Sequence, residues 1–293
     1  MLAGEMDRGD RMLRSVKLAQ VFDYPVLERF WRDADDLGFH SVWDYDHFYG
    51  MRDPSTPSFE GWSMLAAMAA VTTRVRIGCM VTGVTYRHPA ILAKMAVSVD
   101  HISSGRLELG IGAASHEGEH RGYGIPFPPA GDRIDMLDEA CGIIRRLWTE
   151  DSVTQQGQFW NLTEALANPK PVQDRMPIVI GGTGERKTLR VVARHADEWN
   201  FSPMNDLGPE GPKEFVRLSG VLDEHCASVD RDPTDIRRSI QLMLRPDDRE
   251  QFEAKLRLLD EYERAGAGHA VLAFSDPPSR SLLEQLAPTP API

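Results

Sequence analysis

What constrains this chain most is a rhythm: short apolar runs, too brief for helices, alternate with segments of helical period along nearly its whole length. The runs fall at 16–22, 41–44, 75–81, 107–111, 176–180, 198–201, 236–244 and 270–274. Most lack the polar alternation of a strand with one wet face, so both faces are covered. Helical segments follow at 24–37, 60–71, 90–102, 132–148, 185–193, 214–227, 252–264 and 281–286. In the first, Leu27, Phe30, Trp31 and Ala34 share a face and Gly38 closes the C-terminus; Pro89 opens the third. Eight such strands, each followed by a helix, are what a closed parallel barrel requires. The expected fold is therefore a single (β/α)8 TIM barrel over 16–287, after an extension at 1–15 and before a tail at 288–293. A doubly wound open sheet is the alternative, but it seldom needs eight units. Residues 150–175 break the rhythm and read as an insertion after the fourth helix, built as a hairpin.

Composition narrows the function. With 42% hydrophobic residues the chain can bury a large core, and 33 Lys+Arg against 44 Asp+Glu give a net charge of -11. No sustained basic face exists for nucleic acid or an anionic membrane, so any anionic ligand must be held by local donors. No apolar run approaches the ~20 residues of a spanning helix, and residues 1–14 lack the apolar segment of a signal peptide, so a cytoplasmic protein is expected. Cys79, Cys141 and Cys226 are too few and too scattered for a disulfide framework or a thiolate metal site, and read as small buried apolar residues.

In such a barrel the chemistry sits at the carboxyl ends of the strands. Three of these ends, Val81-Thr82-Gly83, Gly112-Ala113-Ala114 and Gly181-Gly182-Thr183-Gly184, carry glycine, which marks a close approach of something bulky to the backbone. The last is a turn from strand into helix. It leaves unpaired N–H groups at a helix start, near Arg186, Lys187 and Arg190, and so offers a place for a phosphate. The spacing matches neither the dinucleotide fingerprint nor the phosphate loop of nucleotide hydrolases, and alone it reads better as a ligand-free turn.

Asp46-His47 follows the second strand among Trp43, Tyr45 and Phe48. It reads as a titratable imidazole beside a flat ligand, with Asp46 anchoring a ring edge, or equally as a histidine that satisfies loop backbone. His116-Glu117-Gly118-Glu119-His120 matches the zinc pattern His-Glu-x-x-His, but Gly118 and the lack of an apolar helix argue for a chance match in a mouth-lining loop, and no metal site is expected. Asp44, Asp46, Glu117 and Glu119, with Trp43 and Trp199 as sugar platforms, are the material of a barrel glycoside hydrolase; that reading leaves the glycine turns unexplained. A barrel that binds a flavin-like ligand without catalysis fits the same residues.

Several stretches together resemble the bacterial luciferase-like monooxygenase superfamily, and within it the oxidoreductases that use the deazaflavin coenzyme F420. They are Ser41-Val42-Trp43-Asp44-Tyr45-Asp46-His47, the run at 81–89, the run at 105–113, Asn168-Pro169-Lys170-Pro171-Val172, and Ile178-Val179-Ile180-Gly181-Gly182 with Ala196-Asp197-Glu198-Trp199-Asn200 after it. The resemblance implies a (β/α)8 barrel with the cofactor across its mouth, a small-molecule substrate, and a homodimer. It places Asp46 and His47 near the deazaflavin ring; the strand-end position of His47 makes it the expected proton donor. It places Val81, Thr82 and Gly83 at a third-strand bulge with a non-prolyl cis peptide behind the ring. Gly112, Ala113 and Ala114 lie at the ribityl chain, and Gly181, Gly182, Thr183 and Gly184 at the phosphate. Where the family's sugar-phosphate dehydrogenases carry a catalytic Glu just after the fourth-strand turn, Ser115 stands here and Glu117 is out of register, which argues against sugar-phosphate oxidation. FMN is the alternative cofactor, with a reduced-flavin monooxygenase as the alternative function.

Overall fold

The computed structural model describes residues 12–50, 53–203 and 206–288. Eleven strand segments and nine α-helices alternate through them. The barrel uses β1 (Leu13–Leu18), β2 (Ser41–Asp44), β3 (Arg76–Cys79), β4 (Thr82–Gly83), β5 (Leu107–Gly112), β8 (Ile178–Gly181), β9 (Glu198–Phe201), β10 (Arg237–Leu244) and β11 (His269–Phe274). All pair in parallel in the order β3-β2-β1-β11-β10-β9-β8-β5-β4, and a further pairing of β3 with β5 closes the ring. β3 and β4 meet β5 in succession, Ile77 against Leu107 and Thr82 against Ile111, so they act as one strand interrupted at Met80 and Val81. The peptide between those two residues is cis, as the resemblance implied. Eight strands and a closed barrel are thus the expected fold.

Helices α1 (Tyr24–Asp36), α2 (Gly61–Val71), α3 (Pro89–Ile102), α5 (Ala130–Thr149), α6 (Thr188–His195), α7 (Gly211–Ser228), α8 (Arg249–Arg264) and α9 (Arg280–Leu286) surround the barrel. The insertion is the antiparallel hairpin β6 (Val153–Gln156) and β7 (Asn161–Ala165). Two expectations need correction. The first strand begins at Leu13 rather than 16, because Arg14 and Ser15 read as polar although Ser15 is buried, so 13–15 belong to the barrel, with Met12 buried before them; 1–11 of the expected extension and 289–293 of the tail lie outside the described residues. The loop expected at 115–129 contains the short helix α4 (Glu117–Tyr123), started by His116, whose Nδ1 accepts from the Glu119 N–H, and stopped by Gly124 at φ 68°.

Alternation sorts the strand side chains into two cores. Outward residues such as Val16, Val42, Ile77, Leu109 and Ile180 pack against the helices. Trp43, Met80, Val179 and Val271 form a separate cluster inside the barrel, with Val81 packed on it. Beneath it Ser15 Oγ bonds Ser41 Oγ at 2.6 Å and His269 Nε2 at 2.7 Å, and His269 Nδ1 donates to Glu198 Oε1 at 2.9 Å. The barrel is therefore plugged below, and its mouth is where a ligand enters.

Candidate active site

The mouth is built from the ends of β1 to β5 and from α4. His47 Nδ1 lies 2.9 Å from Glu119 Oε2. The same carboxylate accepts from the Tyr86 hydroxyl at 2.7 Å and from the Phe48 N–H at 2.7 Å. Glu119 is fully buried at 0% exposure. Burial alone would raise its carboxyl, but the hydrogen bonds from His47 and Tyr86 and the charge of His47 outweigh it and hold the group at about 2. A permanent carboxylate thus fixes the proton of His47 on Nδ1. That leaves Nε2 without a partner among the described residues and free to exchange a proton at the mouth. Tyr45 packs edge-on against His47 at 4.9 Å, and His116 at 5.9 Å, so the ring is held by aromatics as well as by charge.

Asp46 is turned the other way. Its two oxygens receive both terminal nitrogens of Arg87, which also reaches Glu60 Oε1 at the start of α2. From sequence Asp46 is expected to anchor a ring edge; with 1% exposure its carboxylate is instead spent on Arg87, fixing the loop that carries His47. Thr82 is likewise inaccessible: it is 0% exposed, and its hydroxyl accepts from Trp62 Nε1 at 3.0 Å. Of the three residues at this strand end, Val81 faces the mouth.

The glycines explain Val81. A Cβ on Gly112 would stand 2.8 Å from Val81 Cγ2, and one on Gly181 3.3 Å from Val81 Cγ1. The bulky group these glycines admit is therefore the protein's own valine, lifted to the centre of the mouth. Gly83 makes room for the Tyr86 ring, 2.8 Å from a would-be Cβ. The Ala113 carbonyl accepts from Arg133 Nε at 3.0 Å, and Ala114 turns the chain at φ 57°.

At the other end of the cradle, Gly182 has φ 138°, where a side chain is strained. Among the described residues, no backbone N–H from Thr183 through Lys187 donates a hydrogen bond, and Arg190 Nε is buried without a partner. The helix begins at Thr188, three residues later than expected, and the longer turn is what exposes this run of donors. Lys187 is not one of the free cations, since its Nζ pairs with Asp135 at 2.7 Å.

The hydrolase alternative fails on access. Asp44 and Asp46 are each 1% exposed and Glu119 is 0% exposed, so only Glu117 of the four could meet a sugar. Nor do the paired histidines gather a metal: His120 Nε2 bonds Thr85 Oγ1 at 2.6 Å and its Nδ1 bonds the His116 carbonyl at 2.8 Å. Among the described residues no cluster of three or more His, Cys, Asp or Glu could hold one.

Sequence reading missed Tyr86, Arg87 and Lys17, and weighed Glu119 only as part of a zinc-like pentad and a hydrolase pair, not as the partner of His47. Glu119 lay inside the discounted zinc-like pentad, and the signal was present as a carboxylate three residues past a helix-starting His116. Lys17 Nζ donates to the Met80 carbonyl at 2.6 Å and to Gln241 Oε1 at 3.1 Å inside the barrel.

The sequence model of the luciferase-like monooxygenase family matches residues 11–282. The chain belongs to this family. Among its relatives is an F420-dependent glucose-6-phosphate dehydrogenase of Kineococcus radiotolerans, 36% identical over 174 residues, which are 58% of this chain and 50% of the relative. The chain spans about half to two thirds of the length of the curated relatives it matches, up to 65%. In fold, this luciferase-like chain is similar to an F420-dependent secondary alcohol dehydrogenase in complex with an F420-acetone adduct, at TM-score 0.79 and 18% identity over 94% of this chain and 98% of the other. It is also similar to the coenzyme F420 dependent tetrahydromethanopterin reductase of Methanopyrus kandleri, at TM-score 0.78 and 16% identity over 94% and 97%. Among the described residues no helix is long and apolar enough to cross a membrane.

Proposed function

We propose that this luciferase-like protein is a cytoplasmic oxidoreductase that uses coenzyme F420 to transfer a hydride to or from a small organic substrate. The observation that carries the reading is the pairing of two half-sites at one mouth. Among the described residues, a run of unspent N–H groups and an Arg190 whose Nε has no partner lie at one end, and the Glu119-held His47 at the other. The cofactor's phosphate suits the first, because donors at a helix start favour an anion. Its planar ring suits the apolar seat of Val81 above the buried plug of Trp43, Met80, Val179 and Val271. A bound deazaflavin supplies a two-electron hydride carrier, and the protein supplies orientation, exclusion of water and a proton.

His47 is assigned that proton. With Nδ1 committed to Glu119, Nε2 gives a proton to the substrate oxygen in reduction and takes it in oxidation. Glu119, held at about 2, is ionised at neutral pH and cannot serve as the acid itself. It therefore does not replace the catalytic Glu that Ser115 lacks, and a substrate other than a sugar phosphate is expected. We also propose a homodimer: along α2, Met64, Ala66, Ala67 and Val71 pack on the core while staying partly exposed beside the exposed Ala70, an apolar strip that a second copy would cover.

The test is a screen of alcohols and carbonyl compounds with oxidised and reduced coenzyme F420 in anaerobic buffer, followed by the cofactor's absorbance. Turnover without oxygen supports the reading. Turnover only with oxygen and reduced FMN would place the protein with the monooxygenases instead.

A further inference from the structure

Lys17 is a cation at the mouth that makes no ion pair among the described residues. It occupies the last inward-facing position of β1, since Val16 and Leu18 on either side pack in the outer core. Trp43 stands level with it and Val271 one inward position below, so the barrel is closed beside and beneath Lys17, which is itself only partly buried. β1, β2 and β3 are adjacent in the barrel, and Lys17, His47 and Val81 come from three neighbouring strand ends.

An ammonium has three N–H donors. One goes to the Met80 carbonyl and one to Gln241 Oε1, both neutral, and no carboxylate among the described residues pairs with it. The acids that feel it through space, Cys79 and Asp44, are each 1% exposed. Burial pushes both well above their ordinary values toward the neutral form, and neither oxygen of Asp44 has a partner. Burial also lowers Lys17, to about 8, and it remains an ammonium at neutral pH. A charge in a water-poor pocket with one donor unspent is stabilised by an oxygen from outside the chain.

We propose that Lys17 is a substrate-binding residue, its third N–H received by a carbonyl or carboxylate oxygen, and that the substrate is an organic carbonyl compound whose oxygen points to the barrel floor. Only the word substrate rests on the oxidoreductase reading; capture of an oxygen by Lys17 does not need the cofactor. The Met80 carbonyl and Gln241 aim the donor, and Gln241 is steadied in turn by Ser202 Oγ at 3.5 Å.

The chain has six lysines, few enough to resolve by NMR when the full-length protein carries carbon-13 at the lysine Cε. The probes are benzoate, a carboxylate, and cyclohexanone, a neutral carbonyl, each titrated without cofactor. The Lys17 resonance, assigned by its absence in Lys17→Met, should shift saturably with at least one probe while the other lysines stay still, and which probe acts names the oxygen. Lys17→Met should keep wild-type affinity for coenzyme F420 by fluorescence. If Lys17→Met does not fold, Lys17→Arg serves for assignment and the wild-type titration still decides. A Lys17 resonance indifferent to both probes overturns the proposal, as does loss of coenzyme F420 binding in folded Lys17→Met, which would make Lys17 a cofactor residue. A wild-type protein that shifts with a probe yet ignores coenzyme F420 would sink the oxidoreductase reading and leave the oxygen site standing.

Discussion

His47 owes its chemistry to Glu119, and the two make separable predictions. Replacing His47 by Ala should lower turnover by ~10²–10⁴-fold, the usual contribution of a positioned acid or base, and remove the pH dependence of kcat, with cofactor affinity retained. Full turnover with an unchanged pH profile would withdraw the assignment. Glu119 speaks through stability. A carboxyl held below its unfolded value contributes stability that is complete above that value and disappears as pH falls through the folded one. For Glu119 the window runs from 4.5 down to about 2. The wild-type melting temperature should fall across this window more steeply than that of Glu119→Gln, measured by circular dichroism. Parallel slopes would mean the carboxylate is not held as the structure has it.

Among the elements, the glycines differ in what they tolerate. A Cβ on Gly110 would lie 2.0 Å from the Cys79 carbonyl, which is backbone and cannot yield, whereas one on Gly181 meets only a Val81 methyl at 3.3 Å. Gly110→Ala should therefore cost ~1–3 kcal/mol or more of stability, while Gly181→Ala should fold and act mainly by shifting Val81 and weakening ring binding. Equal melting temperatures for the two variants would contradict this packing. At the turn before α6, Arg190→Leu should weaken coenzyme F420 binding by ~10–100-fold if the arginine meets the phosphate, since a hydrogen bond to a charge contributes ~1.5–3 kcal/mol. The elements themselves were legible because their signals are local: Pro89 at a helix start, Gly38 at φ 77° past a helix end, apolar runs of strand length. β1 was started too late because Arg14 and Ser15 read as polar, although Ser15 is buried inside the barrel. His47 was legible as a strand-end histidine. Glu119 was not, because its partner lies 72 residues away and only the fold joins them.

For the whole molecule, the barrel sets what can vary. The closed sheet and its plug fix the mouth, while the hairpin of β6 and β7 sits outside the ring as a separate two-stranded sheet. The proposed homodimer, resting on the partly exposed apolar strip of α2, predicts a particle of twice the chain mass by light scattering, and a monomer at micromolar concentration would refute it. The central claim is that this mouth takes a deazaflavin, and a side-by-side fluorescence titration of the purified apoprotein with coenzyme F420 and FMN tests it most directly. Saturable binding of coenzyme F420, clearly tighter than that of FMN, is the predicted result. Preference for FMN, or binding of neither, would contradict it.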